Sequence, residues 1–403
     1  MADCILVLDA GTTSTRAMVF AGDGTMEAVA QAELTQHYPR PGWVEHDAGE
    51  IWDKTLKCAR EVIGQDAARI AAIGITNQRE TVVAWDRNSG EPLARAIVWQ
   101  DRRTADFCAT MKADGHEVMV QKRTGLLLDP YFSGTKMRWM LDHDAAVQAA
   151  AQNGSLAFGT IESWLVYKLS GGAHISDASN ASRSLLLSLD GTQFDSDLCE
   201  LFGVPPAALP EVVDTHGKLA DCGLAGDQQS ATIGQGCLSF GETKATYGTG
   251  AFVLTNKGRE IPHSDNRLLG TVLYQENGER TYAIEGACFV AGSLIQYLRD
   301  QLNLIGSAAE TEELARSIAD SGEVVIVPAL AGLGAPHWLP DARGVISGLS
   351  FASGRAQIAR AALEAMAHQT HDLASAFAAD GAPWTHLRID GGMSANDWMA
   401  QGL

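Results

Sequence analysis

Ile5-Leu6-Val7-Leu8-Asp9-Ala10-Gly11-Thr12-Thr13-Ser14-Thr15-Arg16-Ala17-Met18-Val19-Phe20 is the stretch that decides how the rest of the chain is read. Two apolar, β-prone runs flank a small, hydroxyl-rich centre, the pattern of a β-hairpin with a tight turn. Gly11 lets a ligand approach the backbone, while Thr12, Thr13 and Ser14 add hydroxyls beside their own N–H groups. Such a turn forms a concave nest of donors that suits a phosphate. Asp9 closes the buried strand, where a lone carboxylate is costly, so a metal ion or a hydrogen-bond shell is expected beside it. An ordinary surface hairpin is the competing reading of this stretch alone.

The pattern recurs at Lys244-Ala245-Thr246-Tyr247-Gly248-Thr249-Gly250-Ala251-Phe252-Val253-Leu254, where a β-prone run again enters a Gly-Thr turn and an apolar strand leaves it. A third Gly turn ends a strand at Leu387-Arg388-Ile389-Asp390-Gly391-Gly392. Phosphate turns in both halves predict two related domains facing one nucleotide. At 403 residues the chain exceeds one typical core, which agrees with two domains. The boundary is expected between residues 232 and 240, giving domains of 1–235 and 236–403.

Hydrophobic content of 46% and charged content of 20% are those of a soluble globular protein. A net charge of −19 argues against nucleic acid or an anionic membrane as partner. An acidic protein that binds a polyphosphate needs Mg²⁺, arginine or backbone donors to reverse the local field. The seven cysteines are scattered, with neither CxxC nor zinc spacing. No signal peptide or membrane-length apolar run is visible, so a reduced, cytoplasmic protein is expected.

Beyond the hairpin, Asp47 with Glu50 predicts the start of a helix that runs to Gly64, with Ile51, Leu56, Ala59 and Ile63 near one face. Ile70 to Thr76 reads as a buried strand that delivers Asn77-Gln78-Arg79-Glu80 before a second strand, Thr81 to Trp85. Four polar residues between two apolar strands make either a solvated turn or a ligand-facing loop. Ile97-Val98-Trp99 runs likewise into Gln100-Asp101-Arg102-Arg103, charges that cap a helix or form surface ion pairs. Leu156 to Thr160 reads as strand, Ile161 to Leu169 as helix, Ala287 to Leu304 as helix, Glu323 to Leu330 as strand and Arg355 to Phe377 as helix. Alternating strands and helices make the chain α/β. Within Gly226-Asp227-Gln228-Gln229, Asp227 is both a helix N-cap candidate and a carboxylate placed for general-base work. His368 and His371 with Asp372 lack a third ligand or a catalytic setting, so they read as helix surface rather than metal site.

Together these motifs resemble the glycerol kinases of the FGGY carbohydrate kinases, a group with the actin-like (ribonuclease H-like) ATPase fold. The resemblance is carried by Asp9 to Arg16, Pro41 to His46, Gly74 to Thr81, Val98 to Thr104, Asp129 to Lys136, Ala225 to Gln229, Thr246 to Gly250 and Gly332 to Pro336, in the family's order. It implies that Arg79, Glu80, Tyr131, Asp227 and Gln228 bind a polyol against Trp99 and Phe252 as apolar wall. It implies ATP or ADP contacts from Thr12, Thr13, Ser14, Arg16, Thr249, Gly292, Gln296, Gly392 and Asn396, and Asp9 facing Mg²⁺ through water. Asp227 is then the general base that activates a primary hydroxyl of glycerol toward the γ-phosphorus. A cytoplasmic homo-oligomer, dimer or tetramer, is also implied.

Three departures from the family pattern stand out. Val213 to Leu224 is shorter than the sugar-bisphosphate loop of regulated relatives, which puts that control in doubt. His337 stands where many relatives have Tyr. The sequence ends at Leu403, where relatives continue with further helices, so a second domain truncated at its C-terminus is expected. The rival readings are a kinase of another small polyol or ketose, an actin-like ATPase without a small-substrate pocket, and a truncated inactive relative. The Asn77-to-Glu80 loop has no purpose in the ATPase reading.

Overall fold

The computed structural model describes residues 3–217 and 222–403. Residues 218–221, inside the segment expected to be a shortened regulatory loop, lie outside the described residues. The chain divides into two compact units: Met1–Ser230 with Arg259–Ile261 and Thr271–Tyr282, and Ala231–Gly258 with Pro262–Gly270 and Ala283–Leu403.

The first unit is built on a mixed sheet of six strands, in the order His216–Gly217, Cys222–Gly226, Ile70–Asn77, Cys4–Ala10, Ser14–Ala21 and Met26–Glu33. Cys4–Ala10 and Ser14–Ala21 form the expected hairpin, and Ser14–Ala21 pairs antiparallel with Met26–Glu33. Cys4–Ala10, Ile70–Asn77 and Cys222–Gly226 run parallel. Helix Ala48–Ile63 covers this sheet, its start capped by Asp47 Oδ1 accepting from the Gly49 and Glu50 amides and its end at Gly64, whose φ of 61° suits a glycine. Its buried face centres on Ile51, Thr55, Cys58 and Ala59 rather than on Leu56, because Thr55 exchanges a 2.7 Å hydrogen bond with Thr15 of the hairpin. Glu50 does not close a capping box; it turns to Thr35 and Lys54. The core adds Leu6, Leu8, Val19, Trp85, Trp164 and Leu165. Burying each large side chain contributes roughly 1.5–3 kcal/mol.

In the second unit, Thr243–Tyr247 and Ala251–Gly258 form an antiparallel hairpin, and Arg388–Asp390 pairs parallel with the first of these strands. Helix Arg355–Ala379 buries Ala362, Leu363, Met366, Leu373 and Phe377, and exposes His368 and His371. Two expectations change here. Ala287 and Cys288 end a strand, Glu279–Cys288, and the helix starts only at Gly292. That run is buried on both faces, so its apolar pattern carries no strand period to distinguish it from a buried helix. The strand after Glu323 is only Val325–Val327, paired with Val345–Ser347 and largely exposed. Among the described residues, six free cysteines are buried: Cys4, Cys58, Cys108 and Cys199 in the first unit, Cys237 and Cys288 in the second. No helix among the described residues is long and apolar enough to cross a membrane.

Candidate active site

The site begins with sheet register. Asp9 lies opposite Thr76 and Ala10 opposite Asn77 on the neighbouring parallel strand, and Asn77 lies opposite Gly226 on the next. Three strand ends therefore deliver the Gly11–Thr13 turn, the Gln78–Glu80 loop and Asp227 side by side at one edge of the first unit. The carboxyl ends of parallel strands are where open α/β sheets bind ligands.

Arg79 sits at the centre, 3% exposed. Its Nε is 3.4 Å from Asp227 Oδ1 and 3.8 Å from Glu80 Oε1, Nη1 donates to Gln229 Oε1 at 3.3 Å, and Nη2 donates to the Tyr131 hydroxyl at 3.4 Å. Gly226 is required for this placement: a Cβ there would stand 2.7 Å from Arg79 Cδ and 2.8 Å from Cγ. Glu80 adopts a left-handed backbone, φ 60°, which costs about 1–3 kcal/mol for a residue with a side chain. Its carbonyl is fixed by the Ser133 hydroxyl at 3.1 Å and the Lys136 ammonium at 3.4 Å. Asp227 opens helix Asp227–Gly234, where the positive helix end faces it. Its Oδ1 accepts from the Gln228 amide at 2.7 Å, while the side chain stays 39% exposed. A carboxylate anchored by neighbours yet open to solvent is suited to take a proton from an incoming hydroxyl.

The aromatic residues join the same cluster. Trp99 meets Tyr131 edge-on, ring centroids 5.8 Å apart, and its Nε1 donates to Thr12 Oγ1 at 2.9 Å. The indole thus braces the first turn. That turn has a second brace: Gln36 Nε2 donates to the Thr12 carbonyl and Gln78 Nε2 to the Gly11 carbonyl. His46 joins the two amides, Nε2 at 2.9 Å from Gln36 Oε1 and Nδ1 at 3.3 Å from Gln78 Nε2. Neutral imidazole protonated on Nε2 satisfies both contacts. Asp101 and Arg103 are neither a helix cap nor surface charges. They are a buried pair at 2.7 Å that also holds the Val44 amide, because the loops on either side need an internal anchor. Asp129 fixes the next loop through the Tyr131 amide and Arg102.

Asp9 is a quarter exposed, and burial pushes its carboxyl above the ordinary aspartate value while Arg16, 3.7 Å away, pulls it back. A hard oxygen donor beside a turn of N–H and hydroxyl groups fits Mg²⁺ held mainly through water and phosphate oxygens. No group of three or more acidic, His or Cys residues that could hold a metal occurs among the described residues.

In the second unit, the Tyr247–Gly250 turn meets the start of helix Gly292–Asp300: the Gly292 amide donates to the Gly248 carbonyl, and the Ala291 and Ser293 amides to that of Thr249. Gly391, φ 90°, lies so close to Tyr247 that a Cβ would stand 2.5 Å from its carbonyl oxygen. Thr249, Gly292 and Gly392 thereby gather around one turn. Gln296 is exposed one helical turn on. Asn396 is 7% exposed and caps helix Asp397–Gly402 through the Met399 amide. Phe252 lies in strand Ala251–Gly258 of this unit's hairpin.

Two side chains in the first unit were not anticipated. Arg183 is wholly buried and donates from Nε to Glu80 Oε1 at 2.7 Å. Lys136, also wholly buried, donates to the carbonyls of Glu80, Tyr131 and Phe132. Burial pulls its ammonium down to about 7, against the nearby carboxylates of Glu80, Asp101 and Asp129. The one signal for Lys136 was a lysine inside a run of small and apolar residues; Arg183 had none.

Residues 4–234 match the N-terminal domain, and residues 243–403 the C-terminal domain, of the FGGY family of carbohydrate kinases. A glycerol kinase of Rhodospirillum rubrum is 53% identical over 99% of this chain and 84% of its own, and one of Gluconobacter oxydans is 51% identical over 100% and 81%. The crystal structure of Plasmodium falciparum glycerol kinase with ADP superposes with a TM-score of 0.88 at 34% identity, covering 99% of this chain and 83% of that one. A xylulose kinase from Lactobacillus acidophilus, 20% identical with a TM-score of 0.84, shares the fold. Sheet register, the two Gly-Thr turns and these matches lead to one assignment: the chain belongs to the FGGY family of carbohydrate kinases.

Proposed function

We propose that this protein transfers the γ-phosphoryl group of ATP to a primary hydroxyl of glycerol, giving sn-glycerol 3-phosphate and ADP. The observation that carries the reading is the junction of Arg79, Glu80, Tyr131 and Asp227 at the strand ends beside the first Gly-Thr turn. The identity of about half the positions with glycerol kinases supports it. A small triol offers little area, so selectivity must come from hydrogen bonds that leave buried groups unpaired when the wrong ligand enters. Arg79 donates to adjacent hydroxyls through its planar fork, Glu80 and Asp227 accept, Gln228 adds a polar contact, and Trp99 and Phe252 face the carbon chain.

In the chemical step Asp227 takes the proton of the attacking hydroxyl as its oxygen reaches the γ-phosphorus in line. Thr12, Thr13, Ser14 and Arg16 direct donors toward the phosphates from the first unit. Thr249 does so from the second, with Gly292, Gln296, Gly392 and Asn396 at the adenosine. Asp9 would hold Mg²⁺, which would supply positive charge to the phosphate oxygens when bound. Residues 1–235 thus supply the polyol site and base and 236–403 the adenosine site, in a cytoplasmic enzyme that assembles as a dimer or tetramer.

The test is ADP release with a panel of polyols and pentuloses. Turnover is expected with glycerol and not with xylulose or ribulose; comparable rates on a pentulose overturn the substrate assignment.

A further inference from the structure

We propose that Arg183 is a positioning residue for the polyol site: it neutralises and aims the Glu80 carboxylate beside Arg79 and Asp227. The inference rests on the reading of Glu80 as a polyol acceptor.

Glu80 and Arg183 are both buried, at 1% and 0% exposure. An ionised carboxylate in that setting is costly unless an opposite charge meets it in good geometry. Arg79 does so poorly, its Nε being 3.8 Å from Glu80 Oε1 and nearer, at 3.4 Å, to Asp227. Arg183 Nε makes the close contact, 2.7 Å to the same oxygen. The guanidinium is fixed in turn, its Cζ 5.3 Å from the Phe132 ring centroid and 5.7 Å from that of Tyr131.

The segment carrying Arg183 is itself anchored at the strand ends. Helix Ala178–Ala181 is capped by Asp177, and Asn180 exchanges side-chain amide hydrogen bonds with Asn77 at 3.0 and 3.2 Å. Ser179 Oγ accepts the Gly226 amide, next to Asp227, at 3.1 Å. One short segment thus braces the loop before Arg79, the residue before Asp227 and, through Arg183, the carboxylate of Glu80.

The test compares wild type with Arg183→Gln and Arg183→Lys, measuring KM for glycerol, KM for ATP, kcat and thermal midpoint. Arg183→Gln is expected to raise the glycerol KM by roughly 10- to 100-fold, the cost of leaving a buried carboxylate poorly paired. The ATP KM should hold, and Arg183→Lys should recover much of the loss by restoring charge. A folded Arg183→Gln enzyme with wild-type glycerol KM overturns the inference. So does a parallel rise in both KM values, or a Lys variant as impaired as Gln. Should the Gln variant not fold, the Lys variant still decides: a wild-type ATP KM with a modestly raised glycerol KM supports the role, and any other pattern rejects it. Wild-type enzyme inert toward glycerol would defeat the proposed function instead.

Discussion

At the scale of the residue, the chemistry turns on whether Asp227 is a base or only the first residue of a helix. Asp227→Asn separates the two. An amide matches the carboxylate in size and keeps one acceptor for the Gln228 amide, now 2.7 Å away, so the turn after Gly226 should persist. It cannot take up a proton, and general-base removal costs on the order of 10²–10⁴ in rate. We expect kcat to fall in that range while nucleotide affinity, measured by calorimetry with ADP, stays near wild type. A helix-start role tolerates Asn about as well as Asp. Near-normal turnover would therefore assign Asp227 to structure.

At the scale of the element, the first turn is held by the Gln36–His46–Gln78 relay, and that relay has a protonation requirement. Burial pulls His46 from its ordinary value of 6.5 down to about 4, and His174, which contacts the Phe158 carbonyl, to about 4 as well. Both folded values lie below the unfolded one. Between the two the unfolded chain binds protons that the folded chain refuses. The stabilisation is complete above about pH 6.5 and is lost as pH falls through 4, up to roughly 3 kcal/mol for each ring. Urea midpoints should decline across that window, and His46→Gln and His174→Gln should each flatten the slope. Unchanged slopes in both variants would place the acid sensitivity elsewhere. Elements of this kind were unevenly legible in the sequence. The hairpin and the Asp47-to-Gly64 helix follow from local signals: alternation, a cap, a glycine stop. The Asn77–Asn180 exchange, the Arg183–Glu80 contact and the Lys136 clamp join residues far apart in sequence, where no periodicity carries information. Ala287 and Cys288, the last two residues of strand Glu279–Cys288, read as the start of a helix because both faces of that strand are buried.

At the scale of the whole molecule, the thiols report on opening. Burial pushes Cys108 up to about 12 and Cys199 to about 11 in the first unit, and Cys288 up to about 12 in the second. A neutral, buried thiol is a poor nucleophile. Iodoacetamide on the native protein should leave these three unmodified, as mapped by mass spectrometry, with labelling appearing only as each unit unfolds. Rapid native labelling of Cys108 or Cys288 would show that its unit opens without global unfolding.

The register that sets Gly226 beside Asn77, and Asn77 beside Ala10, also fixes when the site comes into being during translation. The strand ending at Ala10 emerges early, yet Asp227, which follows strand Cys222–Gly226, is made 217 residues later, counting from Ala10 to Asp227. At about 5–20 residues per second, the ribosome leaves an interval of roughly 10–45 s in which the glycine turn exists without Asp227. Until then one side of strand Ile70–Asn77 is an unpaired edge, open to any extended segment on a neighbouring nascent chain. Covering this unfinished edge until Cys222–Gly226 is made would keep it from pairing with a second nascent chain.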